Sequence, residues 1–292
     1  MKIAAEIVLY SAKVVIQFSG VPRQFDVLVK LPPDGKYDGP GFDSILNEEM
    51  LWNKGTPHYG KDFFPKIHLA DLGKYGRPVI VVEDFRKSGY ARVLDRKLNL
   101  QEARCIADFI GRFHKRGMEL KDKQFTVFRE FYSKFQETVF TESNFQNICD
   151  KMAKSSQSDD STTLKQRLQE HISKLQKSES QDHGQLDTIC QGRVGRGNFW
   201  FKEPTGTGDK LEVRIFDWGQ ARRGSGCFDL YCLLRDIESE HRTQVIEAYI
   251  DALGLTSSLK ESQLRDDLAE NELIYALLVI DEQEKALELL KV

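Results

Sequence analysis

After Asp84 the hydrophobic pattern changes period, and this change constrains the fold more than any other feature. Ahead of it, apolar residues come in short β-branched and aromatic runs: Ile7-Val8-Leu9-Tyr10, Val14-Val15-Ile16 and Val27-Leu28-Val29. Behind it they recur every three or four residues, as in Leu100, Ala103, Ile106, Ala107, Ile110 and Phe113, the spacing of one helical face. A chain that is strand-like first and helix-like afterwards segregates its elements as α+β rather than alternating them. The division predicts a small β-rich lobe over 1–84 and a larger helical lobe over 85–292.

Within the first lobe, strands are expected over 6–10, 13–18 and 25–30, the last ended by Pro32-Pro33-Asp34-Gly35. A helix is expected over 43–52, with Phe42, Ile45 and Leu46 on one face. Pro78-Val79-Ile80-Val81-Val82 is a continuous apolar run, as in a strand buried on both sides. Asn99 with Glu102 three residues on forms a capping-box pattern at the start of the helical part. Residues 151–181 are polar and Ser-rich, with a helix expected over 164–175. Phe199-Trp200-Phe201 and Leu211, Val213, Ile215 form a hairpin turning at Gly206-Thr207-Gly208-Asp209, inside a region of about 189–220. From Arg235 onward the pattern is helical, with Leu268, Leu273, Leu277, Ile280, Leu287 and Leu290 as a stripe.

Composition excludes several classes. A net charge of −3 over 292 residues gives no basic field for nucleic acid. No run approaches the roughly 20 apolar residues of a membrane span. Glu6 and Lys13 interrupt the start that Met1-Lys2-Ile3-Ala4-Ala5 could give a signal peptide. The five cysteines (105, 149, 190, 227 and 232) show no ligand spacing, which fits reduced thiols in a cytoplasmic protein.

Seven segments in order carry a resemblance. They are Val27-Leu28-Val29-Lys30, Asn47-Glu48-Glu49, Val81-Val82-Glu83-Asp84-Phe85, Ile110-Gly111-Arg112-Phe113-His114, Cys190-Gln191-Gly192-Arg193 on to Asn198, Phe216-Asp217-Trp218-Gly219, and Phe228-Asp229-Leu230. Together they resemble the choline-kinase-like and ecdysteroid-kinase-like small-molecule kinases, related to aminoglycoside phosphotransferases. The resemblance implies a two-lobed protein-kinase-like fold binding ATP and Mg²⁺. In it Lys30 contacts the nucleotide phosphates and Glu48, rather than Glu49, holds Lys30. Backbone groups from Val82 to Asp84 bond the adenine, and Asn198 and Asp217 ligate the metal. Asp229 braces the loop, and His114 is a core histidine. Outside such a frame Lys30 would read as a solvated strand-end charge and Asp217 as a turn residue.

Two departures stand out. Arg193 occupies the place of the catalytic Asp, and arginine offers donors only, so it cannot accept a proton. Gln191 replaces the histidine of the same loop. The single glycine ahead of Lys30 is Gly20, so the phosphate-covering glycine loop reads as shortened or absent. Arg193, Arg196, Arg214, Arg222 and Arg223 gather nearby, and Arg193 with Arg196 could hold an anion. Three functions stay open: a pseudokinase that binds or regulates a protein partner; an active ATP-dependent phosphotransferase on a small hydroxylated metabolite; and a sensor with a small-molecule ligand in the helical lobe. Asp182 and Asp187 are the carboxylates nearest in sequence to the missing base.

Overall fold

A computed structural model describes residues 8–32, 40–73, 77–136, 146–151, 159–176, 186–207, 210–254 and 258–279. Residues 33–35 of the expected turn, Asp182, residues 208–209 of the hairpin turn, and Ile280, Leu287 and Leu290 fall outside them.

The first part is a four-stranded antiparallel sheet in the order β1-β2-β4-β3. Its strands are β1 (Val8–Phe18), β2 (Val21–Leu31), β3 (Ile67–Asp71) and β4 (Val79–Glu83). The two strands expected over 6–18 are one: Ser11 and Ala12 continue β1, paired to Leu28 and Val27. The break lies later, at Ser19 and Gly20, whose positive φ angles of 51° and 82° make the tight turn that matches strand twist. β4 is central in the sheet but alternates, with Ile80 and Val82 buried and its other residues half-buried. The expectation of burial on both faces is corrected accordingly.

Helix α1 (Pro40–Met50) runs on into a π turn, Leu51–Gly55, and the one-turn α2 (Thr56–Tyr59). It packs its Ile45, Leu51 and Trp52 into the core.

Below the sheet lie α3 (Leu100–Lys123), α4 (Phe125–Tyr132), α5 (Asp159–Gln176), α6 (Cys227–Arg235), α7 (Arg242–Leu253) and α8 (Ser258–Leu278). The α3 capping box is complete: Asn99 Oδ1 accepts from Glu102 N at 2.9 Å, and Glu102 Oε2 accepts from Asn99 N at 2.8 Å. Strands β6 (Phe199–Lys202) and β7 (Glu212–Ile215) form the expected hairpin. A second pair, β5 (Asp187–Cys190) with β8 (Arg222–Ser225), brackets it. Among the described residues no helix is long and apolar enough to cross a membrane. All five cysteines are free thiols.

The two parts meet across an aromatic floor. Trp218, fully buried, lies 5.2 Å from the Phe64 ring and 4.8 Å from that of Phe113. Asn47 of α1 fastens the join: its Nδ2 donates to Gln136 O at 2.8 Å and to Ala221 O at 3.3 Å, and its Oδ1 accepts from Gln136 N at 2.8 Å. These bonds fix how α1, and the residue after Asn47, approaches the helical part.

Candidate functional site

Lys30 lies near the end of β2, paired to Leu9 on one side and Ile80 on the other. It is 3% exposed. An ammonium removed from water needs compensating charge, and two carboxylates supply it. Glu48 of α1, 0% exposed, bonds Lys30 Nζ directly. Asp217 Oδ1 accepts from the same nitrogen at 2.6 Å. Burial opposes the Lys30 charge, but Asp217 and Glu48 outweigh it and hold the ammonium above its ordinary pKa. Glu48 is pushed up by its burial, which exceeds the pull of Lys30. Burial also acts on Asp217, yet Lys30, the Gly219 N–H and the field of Arg193 bring its carboxyl below the usual range. Glu49 turns elsewhere, accepting from Asn53 at 2.8 Å.

Asp217 has φ +76°, a left-handed conformation that few non-glycine residues adopt. Gly219 follows because α1 comes close: a Cβ there would collide with Ser44. The strained backbone aims the Asp217 side chain, 28% exposed, at Lys30 and the open cleft.

The loop after β5 is pinned from below. Asp229 of α6, fully buried, accepts from Gln191 N at 2.6 Å, Gly192 N at 2.9 Å and His114 Nε2 at 3.1 Å. His114 Nδ1 meets the Tyr249 hydroxyl at 2.6 Å, so this histidine is a satisfied core residue. Gly192 has φ +85°, and a Cβ there would strike Gln220 O. The buried Gln191 side chain joins the loop to the Asp217 backbone: its Nε2 donates to Asp217 O at 2.7 Å and its Oε1 accepts from Arg193 N at 2.9 Å. The Arg193 backbone is thereby tied to Asp217 through Gln191, with the Arg193 side chain exposed. Asn198 Nδ2 donates to Arg193 O at 3.0 Å, which turns Asn198 back onto the same loop.

The structure therefore brings together Lys30, Glu48, Asp217, Gln191, Arg193 and Asn198. Val82 and Asp84 stand apart from that group. Val82 pairs with Leu28 and Ile67 on its two sides. Asp84 donates its N–H to Asp26 O at 2.9 Å, and its carbonyl accepts from Lys87 N at 3.0 Å. Its side chain caps the short helix Phe85–Ser88 and pairs with Arg86. The Asp84 N–H is thus already bonded within the sheet. The arginines also disperse. Arg196 donates to Arg96 O at 2.7 Å, Arg214 to Asp62 O at 3.3 Å, and Arg222 stacks 5.0 Å from the Phe228 ring centroid. Asp187 opens β5, about 10 Å along the strand from Cys190.

The β1–β2 register changes the meaning of Gly20. The turn at Gly20 lies roughly 33 Å along β2 from Lys30, too far to cover it. Lys30 itself pairs with Leu9 of β1, and the residues ahead of Val8 lie outside the described ones. Gly20 therefore bears on the β1–β2 turn and not on the phosphate position.

Asp217 gives Oδ1 to Lys30 and Asn198 engages the loop through its Nδ2. These two residues would hold a Mg²⁺, which takes one or two carboxylates and completes its shell with water and phosphate oxygens.

A family model described as ecdysteroid kinase-like matches residues 40–261. The chain belongs to that family of kinase-like phosphotransferases. An amicoumacin kinase solved in complex with AMP-PNP, Ca²⁺ and Ami is similar at 13% identity and a TM-score of 0.52, covering 98% of this chain and 86% of that one. A microcompartment-associated aminopropanol kinase is similar at 11% identity and TM-score 0.48, with 95% and 88% covered. A macrolide 2′-phosphotransferase from Brachybacterium faecium is similar at 12% and 0.46, with 97% and 91% covered. The amicoumacin kinase likeness shows the two-lobed kinase-like fold. No curated protein matches the chain significantly.

Proposed function

We propose that this ecdysteroid kinase-like chain keeps the scaffold of a phosphotransferase without the transfer, and acts as a pseudokinase that binds or regulates a partner protein. One observation carries the reading. The loop residue placed beside Asp217, where a general base would meet the acceptor hydroxyl, is Arg193. A guanidinium has no lone pair to take a proton and stays charged at any working pH. A positioned general base contributes about 10²–10⁴-fold to such a step.

The remaining parts support a scaffold still under tension rather than a collapsed one. Lys30 and Glu48 are joined, Asp217 keeps its strained backbone, and Gln191 and Asp229 hold the loop. Such a cleft can bind and change shape without chemistry. The test is ATP turnover by the wild type and by Arg193→Asp, followed as ADP release with and without Mg²⁺ across a panel of amino alcohols and steroid alcohols. Wild type is expected to release no ADP above the buffer rate. Acceptor-dependent ADP release by wild type would establish an active phosphotransferase instead.

A further inference from the structure

Hydrogen bonding fixes which way the β6–β7 hairpin turns its edges. Phe201 of β6 exchanges both of its backbone bonds with Ala91: the Ala91 N–H donates to Phe201 O at 2.9 Å, and the Phe201 N–H donates to Ala91 O at 2.8 Å. Successive residues of an antiparallel strand turn these groups to alternate sides. Trp200 and Lys202 therefore bond β7, through Arg214 and Glu212, while Val213, opposite Phe201, directs its N–H and C=O away from β6. Among the described residues no strand pairs with that side of β7. Leu211, two residues back, faces the same way, and its carbonyl accepts from the Cys105 thiol at 3.4 Å. The Val213 N–H and C=O have no partner among the described residues, although Val213 is only 8% exposed. Backbone groups left unpaired out of water are costly, which makes this edge a site for a further donor and acceptor.

The same side of β7 lines a cavity of 1020 Å³. The first half of α3 lines it too, with Leu100, Cys105 and Phe109, and α7 adds Ala248 and Ala252. Lys30, Glu48, Asp217 and Arg193 take no part in it. A slot between an open strand edge and a helix suits an extended chain, because the edge bonds its backbone and alternate side chains enter the slot. Much of the charge around the cavity is already matched: Arg112 pairs with Asp108 at 2.8 Å, and Glu212 accepts from the Tyr90 hydroxyl at 2.7 Å. Arg104, exposed on α3, has no ion-pair partner among the described residues. Asp62 and Asp251 also line the cavity, so the preference for an acid is local to Arg104.

We infer that this groove binds an extended peptide segment of a partner protein, added as a strand to the open edge of β7, with apolar side chains alternating into the cavity and a carboxylate meeting Arg104. The inference rests on the partner-binding reading and gives that partner a surface remote from the Lys30 cleft residues.

The experiment selects random phage-displayed dodecapeptides on the immobilised full chain. The enriched peptide is synthesised, and its affinity is measured by fluorescence polarisation for wild type and Arg104→Glu. It is then remade with one backbone N-methyl group at a time, which leaves the protein untouched. A strand bonds its neighbour through alternate residues, so methylation should weaken binding about 10-fold at every second position of the paired stretch and little between. Arg104→Glu, an exposed change within a helix, should keep the wild-type melting temperature and weaken binding by about 10-fold or more. The Val213 amide should exchange its hydrogen more slowly in the complex. No enriched peptide, equal sensitivity to methylation at neighbouring positions, unchanged affinity for Arg104→Glu, or unchanged exchange at Val213 would each overturn the inference and leave the pseudokinase reading standing. ADP release by wild type would overturn that reading by itself, since strand addition at β7 has no step in common with transfer.

Discussion

Replacing Lys30 by Met tests whether the Lys30–Glu48–Asp217 group is a structural unit. The methionine fills the same slot in β2 but leaves Glu48, 0% exposed, with no cation and with Asp217 nearby. Removing one member of a buried ion pair costs about 3–5 kcal/mol, because a charge is left stranded. For a domain of a couple of hundred residues each kcal/mol moves the melting temperature by about 2–4 °C, so the fall should be roughly 6–20 °C. Glu48 has an escape, since it can take up a proton. Burial already pushes its pKa up in the wild type, and losing Lys30 pushes it further. An acid whose folded pKa is raised loses stability as pH rises through that value. The Lys30→Met deficit should therefore be largest at pH 8 and shrink toward pH 5. Adding Glu48→Gln should recover most of it at pH 8, because the stranded charge is gone. The assay is thermal and urea unfolding of wild type, both single variants and the double variant at pH 5 and pH 8. A Lys30→Met deficit that does not change with pH, or that Glu48→Gln fails to relieve, would refute this account.

Two further outcomes follow from the same geometry. Asn47→Ala removes the three bonds that tie α1 to Gln136 and Ala221, so it should destabilise the chain by about 1–3 kcal/mol in urea unfolding. Hydrogen exchange should show the loss concentrated in α1. Asp217→Asn should flatten the acid side of the stability profile. The Asp217 pKa is depressed when folded, so its contribution is present above the unfolded value of about 3.9 and is lost as pH falls below it. Melting temperatures between pH 7 and pH 2 should show that loss in wild type and not in the variant.

What the sequence shows clearly is what is encoded within a few residues. The capping box at Asn99 and the helical stripe of α3 are local, and the structure has both. Strand β3 is not legible, because Ile67, His68, Leu69, Ala70 and Asp71 show no alternation and lie half-buried or exposed at the sheet edge. Strand β8, Arg222-Arg223-Gly224-Ser225, has no strand propensity, and its pairing with β5 is imposed from outside. The site divides the same way. Lys30, Glu48 and Asp217 are recognisable by their order in the chain, but the direct Lys30–Asp217 bond spans 187 positions and has no local sign. Asn47 drew no notice in its own right, because its partners lie 89 and 174 positions away. The state of the Asp84 backbone has no local sign for a related reason. Whether a backbone N–H is open depends on its neighbour in space, here Asp26, and not on its own residue type.

Arg193 is best understood against the parts that did not change with it. A cleft drifting free of use would be expected to lose its costly features first. An αL aspartate and a fully buried carboxylate are such features, each unfavourable unless its surroundings hold it. Both are present, and each depends on Lys30. The same loop holds Arg193 by its N–H, through the Gln191 side chain that also reaches Asp217, and by its carbonyl, through Asn198. Lys30, Glu48 and Asp217 together carry one net negative charge, and the loop fastened to that group presents an arginine, which has no lone pair to serve as a base.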